Sequence, residues 1–261
     1  MNNTLLKGLS VLELLSRSDR ALSLTQIGKE LGMVKSNVHR LMQALVETRF
    51  VLRDEESGTY GPSIKLWELG SAVLAKLDLR RHAERQMEAL MTLTGESVHL
   101  SVLDGTEVVY VHKVDSPNPV RAYTQIGGRA PAYCVATGKA QLAYSGTTVL
   151  HAVAATLRPH TERTVTDPES FLKEMRKVRE QAYALNRGEW RDNVFGIASP
   201  VMDTRGSVIA AVGISGPAER FRKTVMTDWT QAVVAAATDI SHALGGEQSM
   251  TALSRIHFGP R

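Results

Sequence analysis

Between Leu24 and Glu47 the chain lays down two amphipathic stretches separated by a turn so short that only two helices crossing at a steep angle can accommodate it. Ser23 stands where an N-cap side chain accepts a backbone N–H. Leu24, Ile27 and Leu31 recur at helical spacing, and Gly32 supplies the left-handed residue that ends the first helix. From about Lys35 to Glu47, Val38, Leu41, Met42 and Leu45 fall at i, i+3, i+4 and i+7, which fixes an apolar stripe and leaves the opposite face polar. Ahead of them Leu5, Leu6, Leu9, Leu12 and Leu15 mark a helix that ends near Asp19 and is expected to bury its leucines. Phe50 to Arg53 and Thr59 to Gly61 then read as two strands closed by Glu55, Glu56, Ser57 and Gly58, completing a winged helix-turn-helix.

In such a unit the second helix enters the major groove with its N-terminal residues at base edges. That end carries Lys35, Ser36, Asn37, His39 and Arg40, with Gln43 one turn further, and no acidic side chain occurs between Leu31 and Val46. Lys35 and Arg40 can neutralise phosphates, Arg40 can fork onto guanine O6 and N7, and Asn37 can pair with adenine. Thr25 and Arg53 complete the expected contact set; the wing itself is acidic and is assigned a small part. The competing reading is a protein-binding winged helix whose polar face is merely solvated. Turn length, glycine position, the acid-free face and the following hairpin together favour double-stranded DNA, with His39 the weakest member of the set.

Composition only permits this. The 261 residues carry 31 Lys and Arg against 27 Asp and Glu, a net charge of +4, which is common among enzymes as well. A hydrophobic content of 43% is ample for a packed core. No apolar run approaches the ~18 residues of a membrane span, and Glu13 interrupts the first apolar stretch, so a cytoplasmic chain without a secretory signal or a membrane partner is expected. The single cysteine, Cys134, excludes an internal disulfide.

Gly61, Pro62 and Ser63 punctuate the chain, and Leu66, Trp67, Leu69, Leu74 and Leu77 lie on a following helix too short for a core of its own, which implies packing on a second copy. The expected domains are residues 1–62, a linker and dimerisation helix at 63–79, a second domain at 80–246 and a tail at 247–261. In the second domain a helix near Arg81 to Leu93 presents Ala83, Met87, Leu90 and Met91. A hairpin follows, with Val98, Leu100 and Val102 opposite Val109 and Val111 across Asp104 and Gly105. A third strand is expected over Pro119 to Gln125, and a further pair over Val194 to Met202 and Val208 to Ser215. Helices are expected over Thr137 to Tyr144, Thr147 to Ala155, Pro168 to Ala184 with Asp167 as N-cap, and Thr227 to Leu244. This order argues for an α+β domain with an antiparallel sheet.

Catalytic signatures are weak. Gly138 and Lys139 look like the end of a phosphate-binding loop, but Tyr133 and Ala140 occupy positions that need Gly and Ser or Thr. Ser170 and Lys173 share a hydrolase spacing without its companion motifs. His99, His112 and Cys134 could in principle hold a metal if the hairpin register brought the histidines together, yet half-exposed strand histidines are the commoner explanation, so neither metal nor cofactor is expected. A hydrolase using Ser215 or Cys134 as nucleophile lacks a visible base. Pro131 to Gly138 places small residues and Thr137 at a helix start, where backbone N–H groups favour an anion; a tight loop with close helix packing is the plainer reading.

The segments LTQIGKELGMVKSNVHRLMQAL, GRAPAYCVATGKAQLA, FGIASPV and VGISGP, in this order, resemble IclR-type bacterial transcription regulators over almost the whole chain. The resemblance implies a winged helix-turn-helix, a dimerising linker helix and a non-enzymatic, GAF-like effector domain. It further implies a homodimer or homotetramer that binds operator DNA, and a small effector such as an organic acid from a catabolic pathway. Carried over by motif, the effector pocket comprises Ala122 from a strand, Cys134, Val135, Ala136, Thr137 and Gly138, Gly196 and Ile197, and Gly213 and Ser215. Asn186 and Glu189 stand where relatives carry an acidic cluster, with Arg187 and Arg191 nearby to favour an anion. Gly196 and Gly213 are expected to enlarge the cavity.

Overall fold

The computed structural model describes residues 3–77 and 79–245; the expected tail at 247–261 lies outside the described residues. The chain divides into two units after Leu77.

In the first unit α1 (Asn3–Arg17), α2 (Leu24–Glu30) and α3 (Lys35–Glu47) precede an antiparallel pair, β1 (Val51–Arg53) and β2 (Tyr60–Pro62), and α4 (Ile64–Leu77). Ser23 caps α2 reciprocally: its hydroxyl accepts from the Gln26 N–H while the Gln26 side chain accepts from the Ser23 N–H at 2.8 Å. Gly32 adopts the left-handed conformation, φ +61°, that the turn into α3 demands. Val11, Leu15, Ile27, Val38, Met42, Val51 and Tyr60 form the core. The leucine face expected to be buried on α1 is displaced by this arrangement. α1 packs on β2 and α3 through Val11 and Leu15, while Leu5, Leu6 and Leu9, in its earlier turns, are exposed.

The second unit starts with α5 (Leu79–Thr94) and builds one six-stranded sheet in the order β5-β4-β3-β8-β7-β6, every neighbouring pair antiparallel. Its strands are β3 (Ser97–Asp104), β4 (Glu107–Val114), β5 (Arg129–Pro131), β6 (Ala184–Arg187), β7 (Val194–Met202) and β8 (Val208–Pro217). α5 and α9 (Lys223–Ala243) pack together against one face, and α6 (Ala136–Leu142) covers the other, with α7 (Thr147–Ala154) and α8 (Pro168–Gln181) outside it. The fold is α+β, with β3, β7 and β8 buried on both faces over much of their length because helices cover both sides.

Two expected elements differ. Pro119 to Gln125 is irregular backbone, and the edge strand is β5. Side chains satisfy the irregular segment in place of a ladder. Ser97 donates to the Ala122 carbonyl at 3.2 Å and Arg220 to the Val120 carbonyl at 3.0 Å, while the Asn118 side chain ties the chain just before the segment to the Gly95 carbonyl at 3.0 Å. The helix expected to run through Ala184 stops at Gln181, where Ala182 turns left-handed at φ 58°, and Ala184 opens β6.

Candidate functional site

On α3 the stripe Val38, Leu41 and Met42 is buried, which turns Lys35, Ser36, His39, Arg40 and Gln43 outward; Asn37 is half-buried. Thr25 is exposed at the start of α2. Arg53 is exposed on β1 and leans toward Glu55 of the wing at 3.8 Å, a solvated pair of little energetic weight. The wing tip is pinned by Asp54, whose carboxylate accepts from the Glu56 and Ser57 N–H groups at 2.9 Å. These hydrogen bonds hold its carboxyl below the usual range. From Lys35 to Gln43 the helix face thus presents two cations and no acid, with Glu47 at its far end and a negatively charged loop in the same unit.

In the second unit a cavity of about 180 Å³ lies between the sheet and α6. Its floor is β3, β4, β7 and β8 through His99, Tyr110, Gly196, Gly213 and Ser215. Val135, Ala136 and Thr137 form one wall, Ala122, Tyr123 and Thr124 another, and Asn186, Trp190 and Arg191 close the side. Arg121 and Arg191 both line it, and no carboxylate does. Neither guanidinium forms an ion pair among the described residues: Arg121 donates only to the Asn118 carbonyl at 3.4 Å, and Arg191 stacks on the Trp190 ring at 4.9 Å.

His99 is the pivot of the floor. Its Nε2 lies 2.6 Å from the Ser215 hydroxyl and its Nδ1 2.9 Å from that of Thr124, with the Tyr110 ring edge-on at 5.6 Å. Burial lowers its pKa to about 4, so the imidazole is neutral at pH 7, one nitrogen donating and the other accepting. Burial likewise pushes the Tyr110 phenol up to about 12, opposed by the Arg191 charge and the nearby Thr137 hydroxyl. The Thr137 hydroxyl is itself buried without a fully formed hydrogen bond. The cavity therefore offers hydroxyl, amide and neutral imidazole groups under a positive potential.

Of the expected pocket residues, Ala122, Val135, Ala136, Thr137, Asn186, Gly196, Gly213 and Ser215 line this cavity, Ala122 from irregular backbone. Cys134, Gly138, Glu189 and Ile197 do not. Cys134 is packed in the core beneath α6, where burial, and secondarily the Glu189 charge, raise its thiol to about 12. Gly138 serves packing: a Cβ there would run into the Ala132 backbone. Ile197 alternates to the far side of β7 from Gly196 and is fully buried. Glu189 points away from the cavity to pair with Lys139, and Arg187 lines a separate groove behind it. At Gly213 a Cβ would meet the Ile197 carbonyl and Ala198, so that glycine permits strand packing, whereas one at Gly196 would press on the Ile214 carbonyl at 3.0 Å and touch Ala136 and Ser215 of the cavity lining at 3.6 Å.

His99 and His112 do not meet. Register pairs His99 with Lys113 and Leu100 with His112, which sends the histidines to opposite faces. His112 instead places its Nε2 2.6 Å from the Glu84 carboxylate of α5. Sequence reasoning missed Tyr110, Arg121, Tyr123, Thr124, Trp190, Val194 and Ile214 as lining residues. A period-two count from His99 would have put Tyr110 on the same face only with the bulge between Leu100 and Ser101 known.

Residues 4–55 match the IclR helix-turn-helix domain, and residues 71–242 match the family described as bacterial transcriptional regulator IclR, C-terminal. The chain is 35% identical over 245 residues to the HTH-type transcriptional regulator KdgR of Escherichia coli, covering 93% of both. It is similar in structure to the IclR protein of Thermotoga maritima, with a TM-score of 0.77 at 31% identity, covering 94% of this chain and 100% of that one. An IclR homologue from Microbacterium hydrocarbonoxydans complexed with 4-hydroxybenzoate gives a TM-score of 0.83 at 25% identity, covering 93% and 99% of the two chains.

Proposed function

The chain belongs to the IclR family of bacterial transcriptional regulators, and from that premise we propose that α3 reads its operator while a small organic acid in the cavity beside α6 sets the strength of DNA binding. The observation that carries the ligand reading is the pair Arg121 and Arg191 lining a cavity without a carboxylate. Two guanidinium groups left without an acid partner are best neutralised by a ligand that brings its own negative charge. The surrounding hydroxyl, amide and imidazole groups suit the hydroxyl or keto oxygens of a catabolic intermediate, and the relative that holds 4-hydroxybenzoate supports an acid of this size.

On the DNA side, Arg40 and Asn37 are assigned to base edges, and Lys35, Ser36 and Gln43, with Thr25 and Arg53, to the surrounding contacts. His39 is the member whose loss matters least. Residues 1–62 bind DNA, 63–79 link, and 80–246 sense the ligand. Exposed Leu6 and Leu9 on α1 and Ile64, Trp67 and Leu69 on α4 support a homodimer or homotetramer, which would match a pseudo-palindromic operator. Among the described residues no helix is long and apolar enough to cross a membrane, and a chromosomal target places the protein in the cytoplasm.

Hydrolysis is the second reading, because Ser215 and His99 stand at hydrogen-bond distance. A base for serine must accept a proton near neutral pH and have its cation stabilised. His99 is held neutral to about pH 4, and its other nitrogen meets the Thr124 hydroxyl where a carboxylate would be needed. We therefore assign Ser215 to ligand binding, and expect no turnover of p-nitrophenyl acetate above a Ser215→Ala control.

The test pairs a thermal-shift screen of small acids (benzoates, hexonates, hexuronates, 2-keto acids) and matched amines with anisotropy titrations on DNA from upstream of the gene at fixed salt. An acid that raises the melting temperature and changes the DNA affinity is expected. Stabilisation by amines and not by acids would overturn the ligand reading, and no preference for upstream over shuffled DNA would overturn the operator reading.

A further inference from the structure

Lys139 is among the largest fully buried side chains of the described residues, yet it does not line the cavity. Its ammonium donates to Glu174 of α8 at 2.8 Å and to the Leu185 carbonyl at 3.2 Å, and it pairs with Glu189. A buried pair of this kind is poor evidence of stability, since desolvation offsets most of the attraction, but it constrains geometry strongly, because moving either partner strands a charge. Its position in the chain gives that constraint a use. Lys139 follows Thr137 by two residues on α6, one wall of the cavity, and Glu189 lies in the turn between β6 and β7, which together with the end of β6 supplies Asn186, Trp190 and Arg191 to the cavity's side.

Hydrogen bonds of the turn converge on Glu189, beside those that the Thr161 and Thr164 hydroxyls donate to the Gly188 and Glu189 carbonyls at 2.7 and 2.6 Å. The Asn186 side chain accepts from the Gly188 and Glu189 N–H groups at 3.1 and 3.0 Å, and the Glu189 carboxylate accepts from the Arg187 N–H at 3.2 Å. Holding the Glu189 carboxylate therefore holds the backbone N–H groups that, with the Val194 carbonyl at 3.3 Å, orient Asn186, and with them the direction in which Trp190 and Arg191 leave the turn.

The geometry points to Lys139 as a positioning residue: its ammonium latches the 186–191 turn to α6 from behind and so holds Asn186, Trp190 and Arg191 where a ligand meets them. The latch itself is independent of any ligand; only its consequence for binding rests on reading the cavity as the effector site. Glu174 is the internal control. It shares the same cation but sits on α8, outside the turn.

The test uses the full chain with Trp67→Phe and Trp229→Phe, which leaves Trp190 as the only indole. Emission and acrylamide quenching then report the turn directly, well below the melting temperature. Lys139→Met is expected to shift Trp190 emission to the red and raise its quenching constant. Glu189→Gln should do the same to a smaller extent, and Glu174→Gln should leave both where they were. Amide exchange should rise in residues 186–191 for the first two variants and not in α8. Unmoved Trp190 signals in Lys139→Met and Glu189→Gln, or an equal response to Glu174→Gln and Glu189→Gln, would overturn the latch. If Lys139→Met fails to fold, the comparison of the two glutamine variants decides alone. A silent acid screen would sink the ligand reading and leave this result standing.

Discussion

Arg191 is exposed and has no carboxylate partner among the described residues, so a bound acid is the partner that would engage it. Arg191→Ala should weaken acid binding by about 1 kcal/mol, a charge-assisted bond discounted for exposure. Calorimetry that gives equal affinities would remove it from the site. His99 makes a different prediction, about pH. Its pKa is about 4 in the fold against 6.5 when free. Between those values the unfolded chain holds the proton and the folded chain does not, so stability rises with pH across this window and is lost as pH falls through it. The loss is about 3 kcal/mol. His99→Gln should flatten the fall in melting temperature between pH 6.5 and pH 4; an identical slope would mean that other groups carry it. In the sequence this residue reads only as a candidate metal ligand, because nothing local reveals that Ser215 lies beside it, 116 positions away.

Elements were legible wherever one face alternates with water. α3 begins and ends where its stripe and the preceding glycine place it, and Asp167 caps α8 as expected, accepting from the Ser170 N–H at 2.8 Å. Legibility failed where periodicity lacked that contrast. β6 is only four residues long and follows α8 after two, so its Ala184 reads as one more helical position. Pro119 to Gln125 has strand-like residues, but its Val120 and Ala122 carbonyls are met by the Arg220 and Ser97 side chains, partners that only the tertiary fold brings there. The small residues before α6 carry two meanings that sequence cannot separate: Ala136 and Thr137 face the cavity, while Gly138 admits the Ala132 backbone. Gly138→Ala forces that contact apart and should cost about 1–3 kcal/mol, the range for overpacking. Chemical denaturation showing no loss would mean that α6 yields freely at this point.

At the scale of the whole chain the question is how a ligand in one unit governs DNA held by the other. A ligand that binds two arrangements equally shifts nothing, so regulation requires unequal affinity, and the coupling must be reciprocal. If filling every acid site of the oligomer changes operator affinity tenfold, saturating operator must change the product of the acid binding constants tenfold in the same direction, about 1.4 kcal/mol in total either way, or about threefold per site in a dimer. Arg40→Ala separates the terms. It should cost about 1–3 kcal/mol of operator binding and leave acid affinity in the absence of DNA as it was, because Arg40 lies in the first unit and the cavity in the second. Calorimetric titration of the acid with and without operator, at one salt concentration, measures both halves of the cycle. Unequal factors would show that the acid acts on DNA binding by a route other than this cavity, such as a second binding site or a change in assembly.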